Sequence, residues 1–381
     1  MKIGFDYTST LGVGGNSTYA RELIHNLAKI DKNNQYFLYY YFHDFLLGRT
    51  PGGIDNKNFK SKPVQISQLK LPIPQNVMNF VNKTSIKIFS KFNKIDIFHF
   101  LEPSIFVKGS YKSIVTLHDL AVLHNSSWAK KTSLDFYKKN IKNILDKASK
   151  IIAVSNFTKN DAIKILNINE KKIKVIYEGV DSIFYPNLDK NYLKEKFNLE
   201  NYILYVGALQ PRKNIVGLLK AYSELDIELR KKYDLVLVGR PRDINFANEV
   251  SEAIKEFKIS DSVKQFDWMT NSDLPKIYSG ARFLVYPSFF EGFGLPILES
   301  LSCGVPVITS STSSLPEVTG SAGVLINPES IEEIKSAIEK MLSDEEFYNS
   351  FKNKCIEQAI KFNWQKTAKE TLAVYEEVYR N

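Results

Sequence analysis

The chain has 381 residues, a formal net charge of +9 and a hydrophobic content of 44%. This length predicts two domains, each with an ordinary globular core. No apolar run approaches the ~18 residues of a membrane-spanning helix, and the chain starts as a strand without the apolar segment of a signal peptide. Cys303 and Cys355 have neither metal-ligand nor disulfide spacing, so we expect a reduced, cytoplasmic setting.

The charge is distributed unevenly between the two halves of the chain. Residues 1–180 hold 27 Lys and Arg against 13 Asp and Glu, whereas the remainder holds 24 against 29. A basic half beside a mildly acidic half predicts that the N-terminal domain meets a polyanion or an anionic membrane surface.

In chain order, apolar strand-like runs alternate with helical stretches. The first half predicts strands at 2–7, 35–42, 95–100, 113–119, 150–155 and 174–177, and helices at 17–29, 76–92, 133–147 and 157–166. A linker follows at 178–190. The second half predicts strands at 202–207, 234–239, 262–266, 282–287, 306–309 and 323–326, with helices starting near 214, 246 and 296.

This alternation predicts an α/β protein with parallel sheets covered by helices on both faces. We divide it into two doubly wound, Rossmann-like domains, 1–180 and 181–381, the second of which ends in C-terminal helices. Ligands of such folds bind at the carboxyl ends of the strands, so two similar halves imply a cleft between the domains.

The most informative segment is 287–303, with the sequence PSFFEGFGLPILESLSC. It predicts a strand end, a glycine turn that carries Glu291, and a helix that starts near Pro296 and carries Glu299 about one turn in. The backbone amides of residues 292–295 then point into the crevice, where a helix N-terminus attracts anions. Two carboxylates accept hydrogen bonds from vicinal hydroxyls. The combination suits a nucleotide sugar, which is both phosphorylated and rich in hydroxyls.

A second strand–loop–helix unit spans residues 203–222 and places Arg212 and Lys213 just before a helix. Two adjacent cations at this position suit a diphosphate. Taken alone, they are also compatible with a solvated pair on an exposed turn. The glutamate segment in the same half favours the diphosphate interpretation.

Together these features resemble a retaining glycosyltransferase of family 4, whose GT-B fold has two facing Rossmann-like domains. The resemblance rests on four motifs: E-GFGLPIL-E (291–299), G-x-x-x-x-R-K (207–213), LGVGGN (11–16) and TLHDL (116–120). TLHDL with E-GFGLPIL-E is most similar to bacterial mannosyltransferases of surface-polysaccharide and lipopolysaccharide assembly. The resemblance thus implies a hexosyltransferase.

The resemblance also implies roles for individual residues. Arg212 and Lys213 would hold the donor diphosphate, and Glu299 would bind the ribose hydroxyls of the nucleotide. The remaining donor residues, which would contact the transferred sugar or approach it with their backbone, are Glu291, Gly292, Phe293, Gly294, Leu295, Gly14 and Gly15. His118 would line the reaction centre from the acceptor side, although a histidine at a strand end is also compatible with a structural role.

Departure of a nucleoside diphosphate develops negative charge, which fixed cations and a helix N-terminus stabilise. The chain contains no D-x-D pair, so we expect no metal and no cofactor, with Arg212 and Lys213 in the place of the metal. The resemblance implies retention of the anomeric configuration. We expect GDP-mannose as the donor, with a UDP-sugar as the next candidate. Base recognition would depend on the loop at 265–270, which contains Trp268.

The stretch 76–95 is basic and amphipathic, with Lys83, Lys87 and Lys91 four residues apart. It predicts either an ordinary surface helix or a helix that docks on anionic lipid beside a lipid-linked glycan acceptor. Lys130, Lys131, Lys138, Lys139 and Lys142 add to the second interpretation. The expected location is then cytoplasmic and peripheral, on the inner face of the plasma membrane.

Four alternatives compete with this interpretation. A UDP-sugar-dependent transferase would make a soluble glycoside, and a non-catalytic protein would only bind nucleotide sugars. Nucleic-acid binding would use the basic half, but no recognisable nucleic-acid module accompanies the charge, so we expect none. In an oxidoreductase, LGVGGNS would be a dinucleotide-binding fingerprint, and Asp44 would take the place of the acidic residue that binds the ribose. Gly12 and Gly14 fit this fingerprint, but Ser17 replaces its third glycine.

Overall fold

The structure, a computed structural model, describes residues 1–6, 14–39, 87, 90–91, 94–103, 106–129, 131–267 and 269–380. They form two compact units. The first comprises Met1–Glu178 with Trp364–Asn381, and the second comprises Gly179–Asn363. The boundary lies two residues before the predicted one, and the C-terminal segment joins the first unit.

The first unit is built on a parallel sheet of six strands among the described residues, in the order β2-β1-β3-β4-β5-β6. Its strands, apart from the edge strand β6, are buried along most of their length, because helices cover both faces of a parallel sheet. Strand β2 is added on one side of β1 and β3 on the other, so the switch point of the sheet lies between β1 and β3. The strands are β1 Lys2–Asp6, β2 Gln35–Tyr39, β3 Ile97–Phe100, β4 Lys112–Leu117, β5 Lys150–Ala153 and β6 Ile173–Val175.

Four α-helices whose bounds lie within the described residues precede the second unit in the chain. They are α1 Gly15–Ile30, α2 Ala121–His124, α3 Lys131–Lys147 and α4 Asn156–Leu166. Ser155 caps α4 by accepting a hydrogen bond from the Thr158 amide, and Asn167 ends the helix in the left-handed conformation. On α3, Ile141, Ile144 and Leu145 are buried while the lysines remain outside.

The second unit repeats this plan, with six described strands in the order β12-β11-β10-β7-β8-β9, all parallel. The switch point lies between β7 and β10, so the loops that follow these two strands meet at one edge of the sheet. The strands are β7 Tyr202–Val206, β8 Asp234–Val238, β9 Val263–Phe266, β10 Leu284–Tyr286, β11 Val307–Ser310 and β12 Gly323–Ile326.

Apart from Ile215–Ser223 and Cys355–Ala359, the helices of the second unit start at side-chain caps or have proline in their first turn. Asp243 accepts a hydrogen bond from the Phe246 amide, and Ser330 from the Glu333 amide. The helices are α5 Lys190–Phe197, α6 Ile215–Ser223, α7 Ile227–Lys232, α8 Ile244–Glu256, α9 Leu274–Gly280, α10 Leu295–Ser302, α11 Leu315–Thr319, α12 Ile331–Ser343, α13 Glu345–Lys352 and α14 Cys355–Ala359.

The last helix, α15 Trp364–Arg380, packs on the first unit against α1. The Tyr375 hydroxyl lies 2.7 Å from His99 Nδ1, and the Lys112 ammonium donates to the Val378 carbonyl at 3.0 Å. The sequence-based division assigned this helix to residues 181–381. It differs from the structure because an amphipathic helix pattern shows that one face is buried but not which sheet buries it.

The structure confirms the α/β class with two parallel sheets and flanking helices. In the described part of the chain, none of the helices is both long enough and apolar enough to span a bilayer. Most of the predicted helix at 76–92 lies outside the described residues, and so do residues 11–13 of the glycine loop, Lys83, Lys130 and Trp268. Lys87, Ser90 and Lys91 are described and are helical.

Candidate functional site

The loop after β7 brings Arg212 and Lys213 to the switch point of the second unit. Both cations lie in a 3₁₀ turn, Pro211–Lys213, which Asn214 ends in the left-handed conformation with a φ of 57°. The Asn214 side chain donates to the Pro328 carbonyl at 2.6 Å and so ties the turn to the loop after β12. The two cations are therefore fixed at the start of α6.

The loop after β10 places Glu291 against this turn. The Phe289 amide donates to the Arg212 carbonyl at 3.0 Å, which joins the two loops by their backbones. The Glu291 amide donates to Ser313 Oγ at 3.1 Å, and Ser314 Oγ donates to the Glu291 carbonyl at 2.9 Å. Glu291 thus sits on a framework supplied by two strand ends and by the loop after β11.

The Glu291 carboxylate bridges both cations. Its Oε2 atom lies 3.1 Å from Arg212 Nη1, and its Oε1 atom accepts a hydrogen bond from Lys213 Nζ. The side chains of Glu291, Lys213 and Arg212 are 8%, 9% and 16% exposed, so this pairing lies largely out of water. The structure therefore brings the two predicted diphosphate ligands and the predicted sugar ligand into one cluster.

Electrostatics fix the charge state of Glu291. Burial acts to raise the pKa of its carboxyl, but the charges of Arg212 and Lys213 outweigh burial and lower the pKa to about 2. Glu291 is therefore ionised at neutral pH. It can accept hydrogen bonds from hydroxyls, but it has no proton to give to a leaving group.

Helix α10 begins where the sequence predicts, with Gly294 as its N-cap, Leu295 as its first residue and Pro296 in its first turn. Gly294 has a φ of 114°, and a Cβ atom there would lie 2.9 Å from Leu315 Cδ2. The residues of the turn, Gly292, Phe293, Gly294 and Leu295, are all buried. Only glycine satisfies both the conformation and the close approach at position 294.

Glu299 lies one turn into α10 and has a different partner. Its Oε2 atom accepts a hydrogen bond from the Tyr278 hydroxyl at 2.7 Å. Loss of hydration and the charge of Asp181 raise the pKa of Glu299 to about 7, while the Tyr278 hydrogen bond acts in the opposite direction. Its carboxyl therefore titrates near neutral pH, unlike that of Glu291.

In the first unit, His118 follows β4 and is buried. Its Nε2 atom lies 3.1 Å from the Leu101 carbonyl oxygen, and its Nδ1 atom lies 3.5 Å from the Glu178 carboxylate. The Tyr19 ring packs edge-on against the imidazole, with 4.9 Å between centroids. Burial lowers the pKa of His118, but Glu178, Glu102 and Asp119 together raise it above its ordinary value.

Gly14 and Gly15 lie at the start of α1, on the chain that leaves β1. Gly14 is the N-cap with a φ of 120°, and Gly15 is the first helical residue. Both are exposed. The Asn16 amide group donates to Glu102 Oε1 at 3.2 Å, which connects this helix start to the chain that follows β3. The two glycines therefore lie at the switch point of the first sheet.

Several residues that hold the site were not predicted from the sequence. They are Tyr278, Tyr286, Ser313 and Ser314 in the second unit, and Tyr19 and Glu178 in the first. Glu178 falls in the segment that we assigned to the linker, and the two serines lie 22 and 23 residues after Glu291, beyond the end of the motif that they support. In the described residues, no group of three or more His, Cys, Asp and Glu side chains is arranged to hold a metal ion.

The chain matches two family models. Residues 13–183 match the model described as Glycosyltransferase Family 4, and residues 189–361 match the model described as Glycosyl transferases group 1. The second match contains Arg212, Lys213 and the 291–299 segment, and the first contains Gly14, Gly15 and His118. The two matches thus cover all of the predicted site residues.

The chain is also similar to curated proteins and to solved structures. It is 33% identical to the O-antigen chain mannosyltransferase B of Escherichia coli over 69% of this chain and 70% of that protein. It is 32% identical to the serotype-specific mannosyltransferase WbdA of Escherichia coli over 68% of this chain, but it spans about a third of that protein, 32%. A structure of Anabaena Alr3699/HepE with UDP and glucose superposes with a TM-score of 0.77 at 18% identity, covering 99% of this chain and all of the other, 100%.

Proposed function

The chain belongs to the group 1 and family 4 glycosyltransferases, and we propose that it transfers mannose from GDP-mannose to a glycan of a bacterial surface polysaccharide. One observation carries the proposal: the buried cluster of Glu291 with Arg212 and Lys213 at the switch point of the second unit. The name of the O-antigen chain mannosyltransferase B, at 33% identity, supports mannose as the sugar.

In the proposed reaction, the bond between the anomeric carbon of the donor and the β-phosphate oxygen breaks. A bond to the acceptor hydroxyl oxygen forms on the same face, and the departing phosphate oxygen takes the acceptor proton. Arg212 and Lys213 stabilise the charge that develops on the diphosphate, without a metal ion. Glu291, which stays ionised, accepts hydrogen bonds from the sugar hydroxyls, and Glu299 accepts them from the ribose.

The amides of residues 292–295 complete the proposed sugar site at the start of α10, and Gly14 and Gly15 let the start of α1 approach the phosphate. His118 faces the acceptor. Because Leu101 and Glu178 both offer acceptor oxygens to its ring, the imidazole is held in one orientation and favours its charged form. The acceptor is a glycan or a lipid-linked glycan.

A UDP-hexose is the second candidate donor. The HepE structure, which contains UDP and glucose, has the same fold over nearly the whole chain. The cluster of Glu291, Arg212 and Lys213 does not distinguish a guanine from a uracil nucleotide, because its two cations would bind phosphate oxygens and not the base.

We further propose that the protein works in the cytoplasm as a peripheral protein on the inner face of the plasma membrane. On α3, Lys131, Lys138, Lys139 and Lys142 are exposed on one side of a helix whose other side is buried. Exposed lysines of this kind attract anionic lipid. Co-sedimentation with anionic vesicles at low salt tests the proposal, and absence of binding contradicts it.

The donor proposal is tested by transfer from GDP-mannose, UDP-glucose and UDP-galactose to a lipid-linked glycan acceptor, with and without EDTA. We expect GDP-mannose to give product, no loss with EDTA, and an α-linkage from the α-configured donor. If only a UDP-hexose gives product, the donor is that UDP-hexose and not GDP-mannose. Inversion or loss of activity with EDTA would contradict the mechanism.

A further inference from the structure

Lys213 has a second fixed partner besides Glu291. Its ammonium donates to the Tyr286 hydroxyl at 2.6 Å, and it lies 5.0 Å from the centre of the Tyr286 ring. Tyr286 ends β10 and is 1% exposed. A rigid strand therefore presents this oxygen from inside the unit, on the buried side of the ammonium.

The Tyr286 hydroxyl has no competing charge state at physiological pH. Burial and the nearby Glu291 carboxylate hold the pKa of Tyr286 far above its ordinary value, so the phenol stays neutral. A neutral oxygen can hold an ammonium by a charge-assisted hydrogen bond without cancelling its charge. Glu291, in contrast, is an anion that neutralises one of the two cations.

This difference bears on donor binding. A diphosphate competes with the Glu291 carboxylate for Arg212 and Lys213, whereas it has no such conflict with a phenol. We propose that Tyr286 is a positioning residue that keeps the charged Lys213 ammonium at the phosphate site while Glu291 turns to the sugar. The inference rests on the proposed function, because it takes the donor diphosphate as the ligand of Lys213.

A neighbouring tyrosine provides a matched control. The Tyr205 ring stacks on Tyr286 at 5.7 Å between centroids and is also fully buried, but its hydroxyl contacts the Ala208 carbonyl at 3.3 Å. Tyr205→Phe thus removes a buried phenol from the same stack without touching Lys213. Tyr286→Phe removes the acceptor oxygen and leaves the ring in place.

The test is a double-mutant cycle read by calorimetric titration with UDP and GDP. We expect Tyr286→Phe to weaken binding of the nucleoside diphosphate about tenfold or more, since hydrogen bonds to charged groups contribute in that range. Tyr205→Phe leaves the affinity within about twofold. In a Lys213→Met background, Tyr286→Phe has a smaller effect, because only the interaction of its hydroxyl with Glu291 remains to be lost.

Equal losses from Tyr286→Phe in both backgrounds, or wild-type affinity in Tyr286→Phe, would overturn the inference while leaving the proposed function intact. Absence of UDP and GDP binding by the wild-type protein would overturn both. If Tyr286→Phe does not fold, we expect the cause to be the buried Lys213 ammonium, which then lacks the hydrogen-bond acceptor that the Tyr286 hydroxyl supplies. The Tyr286→Phe, Lys213→Met double variant should then fold, and its failure to do so would also overturn the inference.

Discussion

Glu291 and Glu299 stand eight positions apart in one motif, yet they have opposite electrostatic settings. Two cations hold the pKa of Glu291 at about 2, whereas loss of hydration raises the pKa of Glu299 to about 7. The difference arises from the neighbours of each carboxyl, which are two cations for Glu291 and the Tyr278 hydroxyl for Glu299, and it separates their chemistry. Glu291 is a permanent anion, and Glu299 gains or loses its proton near physiological pH.

Glu291→Gln should therefore separate donor binding from transfer. Removal of the anion that competes with the diphosphate leaves nucleoside diphosphate affinity unchanged or tighter, while the lost acceptor for the sugar hydroxyls lowers kcat about 100-fold or more. Titration with UDP and GDP and steady-state kinetics measure the two effects. Glu329→Gln, at an exposed position, is the control. Near-normal turnover would remove Glu291 from the mechanism.

Glu299 should make the stability of the free protein depend on pH. A carboxyl whose pKa rises from 4.5 to about 7 on folding binds more protons in the folded state, so stability falls as pH rises across this window. Glu299→Gln lacks this loss. We expect its melting temperature to exceed that of the wild type at pH 8 by more than at pH 4. An equal difference at both pH values would refute the assigned titration.

Among the secondary-structure elements, the proposed donor residues lie at loops that join a strand to a helix at the switch point of each sheet. Arg212 and Lys213 precede α6, Glu291 precedes α10, and Gly14 precedes α1. Two of these helix starts depend on glycine with a positive φ, but their surroundings differ. Leu315 crowds Gly294, whereas no atom of the described residues comes within 4 Å of a Cβ atom built on Gly14.

Substitution at these two glycines should have unequal effects. Alanine at either position meets an unfavourable backbone conformation, which costs about 1–2 kcal/mol. Gly294→Ala also forces Leu315 or the start of α10 to move, so we expect a larger loss of stability and of donor affinity than in Gly14→Ala. Urea unfolding and UDP or GDP titration compare them. Equal losses of stability in the two variants would contradict this account.

The motifs were sufficient to predict the strand–turn–helix units and a start of α10 near Pro296, and the structure brings Arg212, Lys213 and Glu291 of the proposed donor site together. The bridge from Glu291 to Arg212 and Lys213 was not predicted. The pairing depends on β7 and β10 being neighbours although some eighty residues separate the two loops, and a single sequence does not encode strand order in a local pattern. Tyr286 was not predicted either, because its contact with Lys213 depends on the same strand order and its sequence context is that of any aromatic residue in a buried strand.

At the scale of the whole molecule, the chain crosses from the first unit to the second and returns in α15. Tyr375 on this helix is fully buried and bonds to His99, whose other ring nitrogen lies 2.8 Å from Thr116 Oγ1. Burial lowers the pKa of His99 to about 3, so the imidazole is neutral and needs a suitable partner at each nitrogen. Helix α15 is therefore part of the core of the first unit.

Tyr375→Phe should destabilise the protein although it changes no predicted site residue. The substitution leaves His99 Nδ1 buried without its partner, which costs about 1–3 kcal/mol in the free energy of unfolding. Tyr379→Phe on the same helix, at a position that is 50% exposed, should change it by less than about 0.5 kcal/mol. Urea unfolding compares the two, and equal stabilities would contradict the role of α15.

The proposed role of Arg212 and Lys213 is to hold the diphosphate of a nucleotide sugar. It is tested most directly by titrating UDP and GDP into the wild-type protein and into the Arg212→Ala, Lys213→Ala double variant. Two charge-assisted contacts contribute about 1.5–3 kcal/mol each, so we expect the wild type to bind at least one of the two ligands and the variant to lose about 100-fold or more in affinity. Equal affinity in a folded double variant would contradict it.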